Sequence, residues 1–550
     1  MLHILLRTTV RSNVHGAKVM SESNSRRSFL KLGLGAAAIA PVSALGLSSA
    51  AFAATNPNDI QWDDEMDVLV IGSGMAGMIA AIRAAETDAS AKVVVADKMS
   101  RLGGSSLISG LNMAVVGSDL QQNIGVTDDS WELLLKDIER EAKGYNHREL
   151  TEVAAKGTLK LYNFLKEHGV KYDMSIGGGT GVKKLGGHSK ARCVWPQGGG
   201  TEVIKKLQGY CSSQLTNVEI RKKILLDEIL RNGEGRVIGV KVREKYRFSR
   251  KHDDLGDNDN PTINSSGKVK YYKVKRGLVM ATGGYNQDRK FRGDEVGTMY
   301  NAASTTQPGA TGGAIKAMIM AGFKPIHMTL FRFAFPIPTE DIRWGILVNP
   351  RTGERFVDEY NNNDRQAIGM AILEERRHID GEHTVLIYDQ KGAEHYHDQQ
   401  RFHLSLDGKN GINGTIWKFD TLEALADNFK MDTKLLKANI DKYNKNMAMD
   451  QDEYHKPKGV LKEASSISQP PFYAMQLNPR YNYAQGGAMI TPKAEAVDVV
   501  TGKPIEGAFV CGEASAGTYG YIRLTACSTI DCGTFGMVAG ENAAKTTPWA

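Results

Sequence analysis

The sequence predicts an α/β fold organised around a parallel sheet, and three observations support this. An apolar run at 67–71 leads into the pattern Gly-x-Gly-x-x-Gly at Gly72, Gly74 and Gly77. An Ala-rich stretch at 78–86 is typical of a helix, and a second apolar run at 92–97 follows it. Strand, glycine turn, helix and strand in this order are typical of a unit that binds a dinucleotide.

Each glycine of the turn has its own expected structural role. Gly72 permits the tight bend, Gly74 lets a pyrophosphate approach the main chain, and Gly77 lets the helix pack close to the strand. The N-terminus of the helix then faces the phosphates. Asp97 ends the second run 20 residues after Gly77, where a carboxylate would bind ribose hydroxyls. A glycine-rich turn without a ligand is the alternative.

Length and composition exclude several classes of protein. The chain has 550 residues, enough for two or more domains, and a formal charge of +7 that is spread without a basic block. This charge pattern does not indicate a nucleic-acid-binding arm. The five cysteines show no Cys-x-x-Cys spacing, which argues against zinc, a familiar iron–sulfur cluster and covalently attached haem. We therefore predict no metal site.

The N-terminal region 1–53 reads as an export signal. Residues 25–31 match the twin-arginine pattern, and they precede an apolar stretch at 32–47 and a small-residue cleavage site near Ala53. The first 19 residues are either an extended leader or an untranslated stretch before Met20. The apolar stretch is short and rich in Gly and Ala, so we expect no retained membrane span. These features predict a periplasmic protein exported by the twin-arginine pathway.

Apolar spacing and breaker residues predict the remaining elements. They are helices over 128–169, a loop system over 177–200, a β-hairpin over 218–242, a strand over 277–282, a helix over 314–321, two amphipathic helices over 421–449 and a final helix over 528–544. The loop system is rich in Gly and basic residues, and long loops of this kind are often functional. We interpret the polar stretch 249–266 as a solvated insertion without a chemical role.

Seven ordered motifs resemble the fumarate reductase and succinate dehydrogenase flavoprotein family, in its soluble flavocytochrome-c-like branch. The resemblance spans about 65–544. The motifs lie at 72–77, 103–106, 281–284, 309–312, 346–349 with 353–356, 486–490, and 511–515 running on to 523–524. The resemblance implies a Rossmann-like FAD-binding domain in two segments, 64–325 and 484–550. It also implies an inserted α+β capping domain at 326–483.

The resemblance implies FAD as the cofactor rather than NAD. The single dinucleotide pattern agrees, because a nicotinamide cofactor would have no site of its own. The segment 104–109 lacks the histidine that carries a covalent link in some family members, so we expect non-covalent FAD. The implied cofactor-binding residues are Gly72, Gly74, Ala76, Gly77, Asp97, Lys98, Gly103, Gly104, Ser105, Ser106, Thr282, Gly283, Gly512, Glu513, Ser528 and Thr529. The chain has no haem motif, so electrons would come from a c-type cytochrome or a quinol-linked donor.

The resemblance also implies catalytic residues. In this family, reduced flavin delivers hydride to an activated alkene and a positioned acid protonates the neighbouring carbon. Arg523 matches the arginine that binds the substrate carboxylate, a task that suits the permanently charged, bidentate guanidinium. Thr339, Glu340 and Arg343 match a pocket threonine and a proton relay. The alternative for Arg523 is a surface or structural arginine. The alternative for the other three residues is a surface salt bridge.

Three positions depart from the family pattern. The proton-donating arginine falls on Asn363, and an amide cannot be that acid. Arg365 or Tyr360 would have to substitute. The histidine that precedes the double glycine falls on Asn482, and a second histidine falls near Phe335. From the loss of one charged pole we expect a substrate that is bulkier and less polar than fumarate.

These departures leave three hypotheses open. The first is an exported FAD-dependent reductase of an α,β-unsaturated acid other than fumarate. The second is an enone or ketosteroid-type enzyme, in which the phenols of Tyr483, Tyr519 and Tyr521 polarise a ketone; packing aromatics with satisfied hydroxyls are the alternative. The third is a flavin electron-transfer protein without turnover of a small molecule.

Overall fold

The structure is a computed structural model that describes residues 54–249, 257–360, 364–396, 399–406 and 415–549. The predicted export signal and Asn363 lie outside the described residues. Among the described helices, none is both long and apolar enough to cross a bilayer.

The described residues form twenty β-strands. They are β1 Asp64–Ile71, β2 Val93–Asp97, β3 Met113–Ala114, β4 Cys193–Val194, β5 Val218–Lys222, β6 Ile224–Arg231, β7 Val237–Glu244, β8 Lys268–Met280, β9 Ala303–Ser304, β10 Pro325–Ile326, β11 Phe331–Ala334, β12 Ile346–Val348, β13 Val385–Tyr388, β14 Trp417–Phe419, β15 Phe472–Gln476, β16 Arg480–Ala484, β17 Gly487–Met489, β18 Glu495–Val497, β19 Pro504–Val510 and β20 Ser515–Ala516.

Seventeen α-helices accompany these strands in the described part of the chain. They are α1 Met75–Thr87, α2 Asp119–Asn123, α3 Trp131–Ala142, α4 Arg148–Lys156, α5 Thr158–Glu167, α6 Ile176–Gly179, α7 Gly199–Gln214, α8 Arg289–Glu295, α9 Gly313–Met320, α10 Thr339–Ile342, α11 Arg365–His378, α12 Gln390–Glu394, α13 Gln399–Ser405, α14 Leu422–Asn428, α15 Thr433–Ala448, α16 Lys458–Leu461 and α17 Ser528–Lys545.

The largest sheet is built around the first predicted strand. Its order is β18-β19-β8-β1-β2-β5, and the hairpin β6–β7 is attached through β8. The pairs β1–β2, β1–β8, β2–β5 and β8–β19 are parallel, which confirms the α/β prediction. The carboxyl ends of β1, β2 and β8 therefore meet at one edge of the sheet, where ligands bind in open α/β folds.

Helices α1 and α17 pack face to face beside this sheet. Small residues permit the close approach, because a Cβ on Gly540 would lie 2.1 Å from the carbonyl oxygen of Ala80. Almost all of α1 is buried, and its alanines and methionines join β1 and β2 in the main hydrophobic core. The helix that follows the glycine turn and the last helix of the chain thus support the same edge of the sheet.

The segment predicted as a cap has sheets and a core of its own. Strands β12 to β15 form a four-stranded antiparallel sheet, and β11 pairs with β16. A second hydrophobic cluster, separate from the main core, joins this sheet to α14 and α15. The two amphipathic helices predicted over 421–449 are α14 and α15, so that prediction is confirmed.

Candidate active site

A long cavity of about 960 Å³ opens at the carboxyl ends of β1, β2 and β8. Eleven of the sixteen predicted cofactor residues line it. These are Gly72, Gly74, Ala76, Asp97, Lys98, Gly104, Ser105, Ser106, Thr282, Gly283 and Glu513.

The glycine turn has the geometry that the sequence predicts. Gly72 has a φ of +104°, and a Cβ there would lie 2.3 Å from the carbonyl oxygen of Ala281. A Cβ on Gly77 would lie 1.9 Å from the carbonyl oxygen of Gly72. At Gly74 the nearest atom to such a Cβ is Oγ of Ser106, 3.6 Å away. Gly72 and Gly77 therefore allow the close packing, whereas Gly74 leaves the main chain accessible from the cavity.

Asp97 fastens the turn from its place at the end of β2. Its Oδ2 accepts hydrogen bonds from the Ser73 main-chain N–H at 2.9 Å and from Ser73 Oγ at 2.5 Å. Its Oδ1 accepts from the N–H of Met99 at 2.8 Å. A carboxylate oxygen has two lone pairs, so Asp97 keeps capacity to accept from a ligand hydroxyl in the cavity that it lines.

The described part of the polar insertion at 249–266 is largely exposed, as predicted, but Asp259 makes contacts with the cavity wall. Asp259 accepts a hydrogen bond from Lys98 Nζ at 3.0 Å, and it also accepts from Thr311 Oγ1 and from the N–H of Gly313. Lys98 and Gly313 line the long cavity. Asp259 thus holds two residues of the cavity wall, and the interpretation that the insertion has no chemical role stays a prediction. A long-range contact of this kind has no local sequence signal.

Five predicted cofactor residues do not line the cavity. Gly77 and Gly103 lie behind the turn, where the Gly103 N–H donates to Ser73 Oγ at 2.9 Å, and the other three are Gly512, Ser528 and Thr529. Cys532, one turn into α17, lies on the wall instead. Sequence reasoning also left several wall residues unassigned: Ile224, Leu225, Leu226, Gln307, Gly309, Ala310, Gly312 and Gly313. The last four were visible as a glycine-rich motif, whereas the β6 residues carry no such signal.

The residues present fit an extended dinucleotide. The walls combine accessible main chain, serine hydroxyls and apolar β6 side chains, which suit phosphate, ribose and ring systems respectively. Thr282 Oγ1 is buried and has no hydrogen-bond partner among the described residues. A buried hydroxyl without a partner is unfavourable, so a polar ligand is expected to satisfy it.

A second, much smaller cavity of about 240 Å³ is lined by three arginines. Arg332 of β11, Arg365 at the start of α11 and Arg523 come from three distant parts of the chain. Their neighbours on the wall are Glu141, Gly186, Ile522, Leu524 and Thr525. The structure thus brings together Arg523 and Arg365, which the sequence predicted, and adds Arg332, which it did not.

Three guanidiniums face this cavity, whereas the described carboxylates beside it are Glu141 on the wall and Glu340 against Gly186. None of the three arginines forms an ion pair among the described residues. The exposed fraction is 4% for Arg332 and 6% for Arg523. Burying an unpaired charge costs several kcal/mol, so the cavity is suited to an anion.

Glu340 lies beside these arginines, whereas Thr339 is only nearby. A Cβ on Gly186 would lie 2.3 Å from Oε1 of Glu340, which places this carboxylate against the cavity wall. Burial lowers the pKa of Arg365; the charge of Glu340 opposes that shift, and Arg523 adds to it. Thr339 is buried in α10, and its hydroxyl has no partner in the described part of the chain.

The remaining predicted catalytic residues, Arg343 and Tyr360, contact each other instead. The Arg343 guanidinium lies 5.3 Å from the centre of the Tyr360 ring. Neither residue lines the small cavity. The structure therefore does not place Tyr360 among the groups that face a substrate there, and it favours Arg365 over Tyr360 as the replacement for Asn363.

The predicted substrate residues divide into two groups. Phe335 belongs to the hydrophobic core, and Tyr519 donates its hydroxyl to the carbonyl oxygen of Cys527. Tyr483 lies beneath Arg523, with the guanidinium 4.7 Å from the ring centre. Asn482 accepts a hydrogen bond from Arg332 Nη1 at 3.3 Å. Tyr519 is thus a packing aromatic with a satisfied hydroxyl, whereas Asn482 and Tyr483 contact the arginines.

The predicted loop system 177–200 reaches the small cavity. Gly186 is on its wall, and His188 Nε2 donates to the carbonyl oxygen of Thr525 at 2.8 Å. Arg192 anchors the loop through fully buried ion pairs with Asp129 at 2.6 Å and Asp137 at 2.7 Å. The inference that this glycine-rich loop is functional agrees with its position at the site.

The expectation of a bulkier, less polar substrate rested on the loss of a charged pole, and the structure corrects that premise. Arg332 brings a positive charge to the cavity. The side chain of Asn482 accepts a hydrogen bond from the Arg332 guanidinium. Sequence reasoning missed Arg332 because it lies within the aromatic run 331–335, which reads as core.

A cavity that fits a dinucleotide and a second cavity lined by arginines are consistent with a cofactor-dependent oxidoreductase. The chain belongs to the FAD binding domain family, whose model FAD_binding_2 matches residues 67–529. The cofactor is therefore FAD, and the protein is an FAD-dependent oxidoreductase.

Named relatives agree with this family. The chain is 29% identical over 531 residues to the acrylate reductase flavoprotein subunit of Shewanella woodyi, covering 94% of this chain and 97% of the relative. It is 29% identical over 498 residues to the fumarate reductase (cytochrome) of Shewanella frigidimarina, covering 88% and 77%. A 3-ketosteroid-Δ4-(5α)-dehydrogenase from Rhodococcus jostii RHA1 shares the fold, with a TM-score of 0.69 at 22% identity, covering 90% and 100%.

Proposed function

We propose that the protein reduces the C=C bond of a small α,β-unsaturated carboxylate. The observation that carries this proposal is the cavity lined by Arg332, Arg365 and Arg523, whose charges have no carboxylate partner among the described residues. Such a site favours an anion over a neutral enone. Its relatives from the two Shewanella species, an acrylate reductase subunit and a fumarate reductase, support the same chemistry.

Each step of the proposed reaction has its own residue. Bound FAD, once reduced, supplies the hydride for the β-carbon. Arg523 binds the substrate carboxylate and stabilises the negative charge that develops on it. Arg365 donates the proton to the α-carbon, and its lowered pKa makes this guanidinium a better acid than an exposed one. Glu340, against the same wall, returns a proton to Arg365.

The walls of the site also keep water away. Ile522 and Leu524 contribute the apolar lining, and the buried Thr339 supplies a hydroxyl without a protein partner among the described residues. Excluding water strengthens the electrostatic interactions that stabilise the developing charge. Arg343, stacked on Tyr360, has a supporting position outside the cavity.

Electrons would reach the flavin from a separate c-type cytochrome or a quinol-linked protein. One relative is named a flavoprotein subunit and the other a fumarate reductase (cytochrome), which supports a haem-containing donor. We further propose periplasmic export through the twin-arginine sequence at 25–31, and non-covalent FAD. Replacing Arg26 and Arg27 by lysine should retain the protein in the cytoplasm, which fractionation and immunoblotting would detect.

A neutral enone or ketosteroid is the second candidate, favoured only by the shared fold with the Rhodococcus enzyme. Tyr519 does not support it, because its hydroxyl is bonded to Cys527. A flavin electron-transfer protein without substrate turnover is the third candidate.

One experiment separates these candidates. The purified FAD-loaded protein is reduced with a viologen dye, and its reoxidation is followed with acrylate, fumarate, methyl vinyl ketone and 4-androstene-3,17-dione. We expect reoxidation by an unsaturated acid only. Reoxidation by enones alone would contradict the proposal, and no reoxidation by any compound would favour the electron-transfer candidate.

Arg523→Ala is the matched variant for this experiment. We expect turnover with the acid to fall about 1,000-fold, because truncating a charged hydrogen-bonding partner costs roughly 2–5 kcal/mol or more. Bound FAD should be retained, since Arg523 does not line the long cavity. Undiminished turnover would show that Arg523 does not hold the carboxylate.

A further inference from the structure

Arg332 is a buried cation in an unusual setting. It lies in the middle of β11 between Phe331 and Phe333, opposite Tyr483 of β16. Its two neighbours in the strand belong to the hydrophobic core, whereas Arg332 itself reaches the small cavity. Charged residues are rarely buried unless they are paired, so the position calls for a ligand or a function.

Three neutral acceptors hold the Arg332 guanidinium in place. Its Nε donates to the carbonyl oxygen of Arg523 at 3.2 Å, Nη1 to Asn482 Oδ1 at 3.3 Å, and Nη2 to Thr525 Oγ1 at 3.3 Å. A guanidinium has five N–H groups, so two remain, one on each terminal nitrogen. These two donors remain for a ligand, and a guanidinium with two N–H groups available suits the two oxygens of a carboxylate.

The partners of Arg332 are themselves fixed. His188 donates to the carbonyl oxygen of Thr525 at 2.8 Å, and Asn482 lies at the irregular step of the β11–β16 pairing, between Tyr481 and Tyr483, which both pair with β11. Burial lowers the pKa of His188 to about 4, so the imidazole is neutral and adds no further positive charge. Arg332 is thus held in one orientation without being neutralised.

The carboxylates nearby do not compensate for Arg332. Glu141 lies on the cavity wall, but among the described residues it forms an ion pair with Arg140, 3.5 Å away. Glu340 is near enough to influence Arg332 electrostatically, yet it forms no ion pair with it among the described residues. The neighbouring cations Arg523 and Arg365 instead add to the positive charge. An anion that enters this cavity would meet more than one guanidinium.

We propose that Arg332 binds the substrate carboxylate together with Arg523, and that Asn482 and Thr525 are its positioning residues. This inference rests on the proposed function. Its physical basis is that Arg332 donates to the main chain of Arg523, which places the two residues at one end of the same cavity. An amide at position 482 cannot supply charge itself, but its oxygen orients a guanidinium that does.

The pairing has a consequence for substrate choice. Two guanidiniums on one carboxylate select an acid with an ionised carboxyl group. Uncharged analogues of the same shape should bind poorly, because they would leave both guanidiniums without a counter-charge. Acrylate should therefore be preferred over acrylamide and over methyl acrylate.

The direct test measures ligand binding without turnover. The oxidised FAD-loaded protein is titrated with propanoate, a saturated carboxylate, and binding is followed by the change in flavin absorbance. In Arg332→Gln we expect the Kd for propanoate to rise at least about 30-fold, and in Arg332→Lys we expect a smaller rise, because the charge remains but the fork is lost. A Kd within threefold of the wild type in Arg332→Gln would overturn the proposal.

A second variant keeps the test decisive if Arg332→Gln does not fold. Asn482→Ala leaves Arg332 in place and removes one of its supports, and we expect the Kd for propanoate to rise about 5-fold, the cost of roughly one neutral hydrogen bond. An unchanged Kd in Asn482→Ala would contradict the positioning role.

Arg292→Gln is the matched control, because Arg292 is equally buried but donates to main-chain carbonyls outside both cavities. It should leave the Kd unchanged.

Steady-state kinetics separate this inference from the proposed function. Arg332→Gln should raise KM for acrylate about 30-fold while kcat falls less, whereas a merely structural residue would reduce FAD content and kcat together. If the wild type turns over acids and Arg332→Gln is unaffected, only the role of Arg332 is wrong. If the wild type turns over no acid, the proposed function is wrong, and the propanoate titration still decides whether Arg332 binds carboxylates.

Discussion

The long cavity and the small cavity are built to recognise a ligand by opposite means. The long cavity is built from main chain, glycine and short hydroxyl side chains at the ends of β1, β2 and β8. The small cavity is built from long charged side chains contributed by β11, α11 and the segment before α17. The first depends on backbone shape and on the absence of side chains, and the second depends on unbalanced charge.

This difference implies different sensitivities to mutation. A main-chain site fails when a side chain is added, because the added atoms occupy the space of the turn. A charge-based site fails when a side chain is shortened, because the remaining cations lose their ligand. The following variants test that contrast, beginning with the largest expected effect.

Gly77→Ala should abolish FAD binding. The added methyl group would lie 1.9 Å from the carbonyl oxygen of Gly72, inside contact distance, so the turn must move. The ratio of flavin to protein after purification measures this loss. Gly209→Ala is the matched control, because no atom lies within 4 Å of its Cβ position and alanine is favoured over glycine in the helix α7 by about 1 kcal/mol. Full flavin content in Gly77→Ala would refute the packing argument.

Arg365→Gln should lower kcat by about 100- to 10,000-fold, the usual contribution of a positioned acid, with a smaller change in KM. Flavin content should be unchanged, since Arg365 does not line the long cavity. Steady-state assays with acrylate and viologen measure both constants. Tyr360→Phe is the comparison, because Tyr360 was the alternative acid; a larger loss of kcat there than in Arg365→Gln would reverse the assignment.

Asp531 is expected to make stability depend on pH. Burial raises the pKa of this α17 carboxyl to about 7, so the folded protein binds its proton more tightly than the unfolded chain does. The stability from this group is fully present below about pH 4 and is lost as pH rises towards 7, by up to about 1.4 kcal/mol per pH unit.

Asp531→Asn should remove that slope and unfold at a higher temperature than the wild type at pH 8, with little difference at pH 4. Thermal unfolding at both pH values, with FAD bound, measures the effect. Parallel pH profiles of the two proteins would show that Asp531 is ionised at neutral pH in the folded state.

Lys143→Met should have the smallest effect. Lys143 Nζ lies 2.5 Å from Asp364 Oδ2 and 4.2 Å from the centre of the Tyr521 ring, so it joins the end of α3 to the residue that caps α11. Its side chain is half-exposed, and exposed ion pairs contribute roughly 0–1 kcal/mol. We expect a change of about 5-fold or less in kcat/KM, with weaker dependence on salt than in the wild type. A loss as large as that of Arg365→Gln would indicate a direct role in the reaction.

The prediction from sequence was strongest where function depends on local backbone. The glycine turn at 72–77, Asp97 after β2 and the glycine-rich motif at 309–313 all reach the long cavity. Each needs a particular residue type at a fixed short spacing, and such spacing is visible in one dimension. The loop 177–200 was also recognisable, because its glycines and length are local properties.

The prediction was weakest where residues meet across the fold. Ser528 and Thr529 are predicted cofactor residues that do not line the cavity, whereas Asp259 of the polar insertion accepts a hydrogen bond from Lys98 on its wall. Arg365 was one of two candidates for an acid until the structure placed it, and not Tyr360, on the wall of the small cavity. Contacts between residues hundreds of positions apart leave no periodicity or spacing to read.

The sequence by itself therefore determined the α/β fold, the dinucleotide turn and the family resemblance, because these follow from local apolar runs and from glycines at fixed intervals. Only the tertiary structure decided which positive charges face the small cavity. In the sequence alone, Asn482 indicates the loss of a charged group that would bind the substrate. In the fold its side chain supports Arg332, a cation that the pairing of β11 with β16 brings beside it.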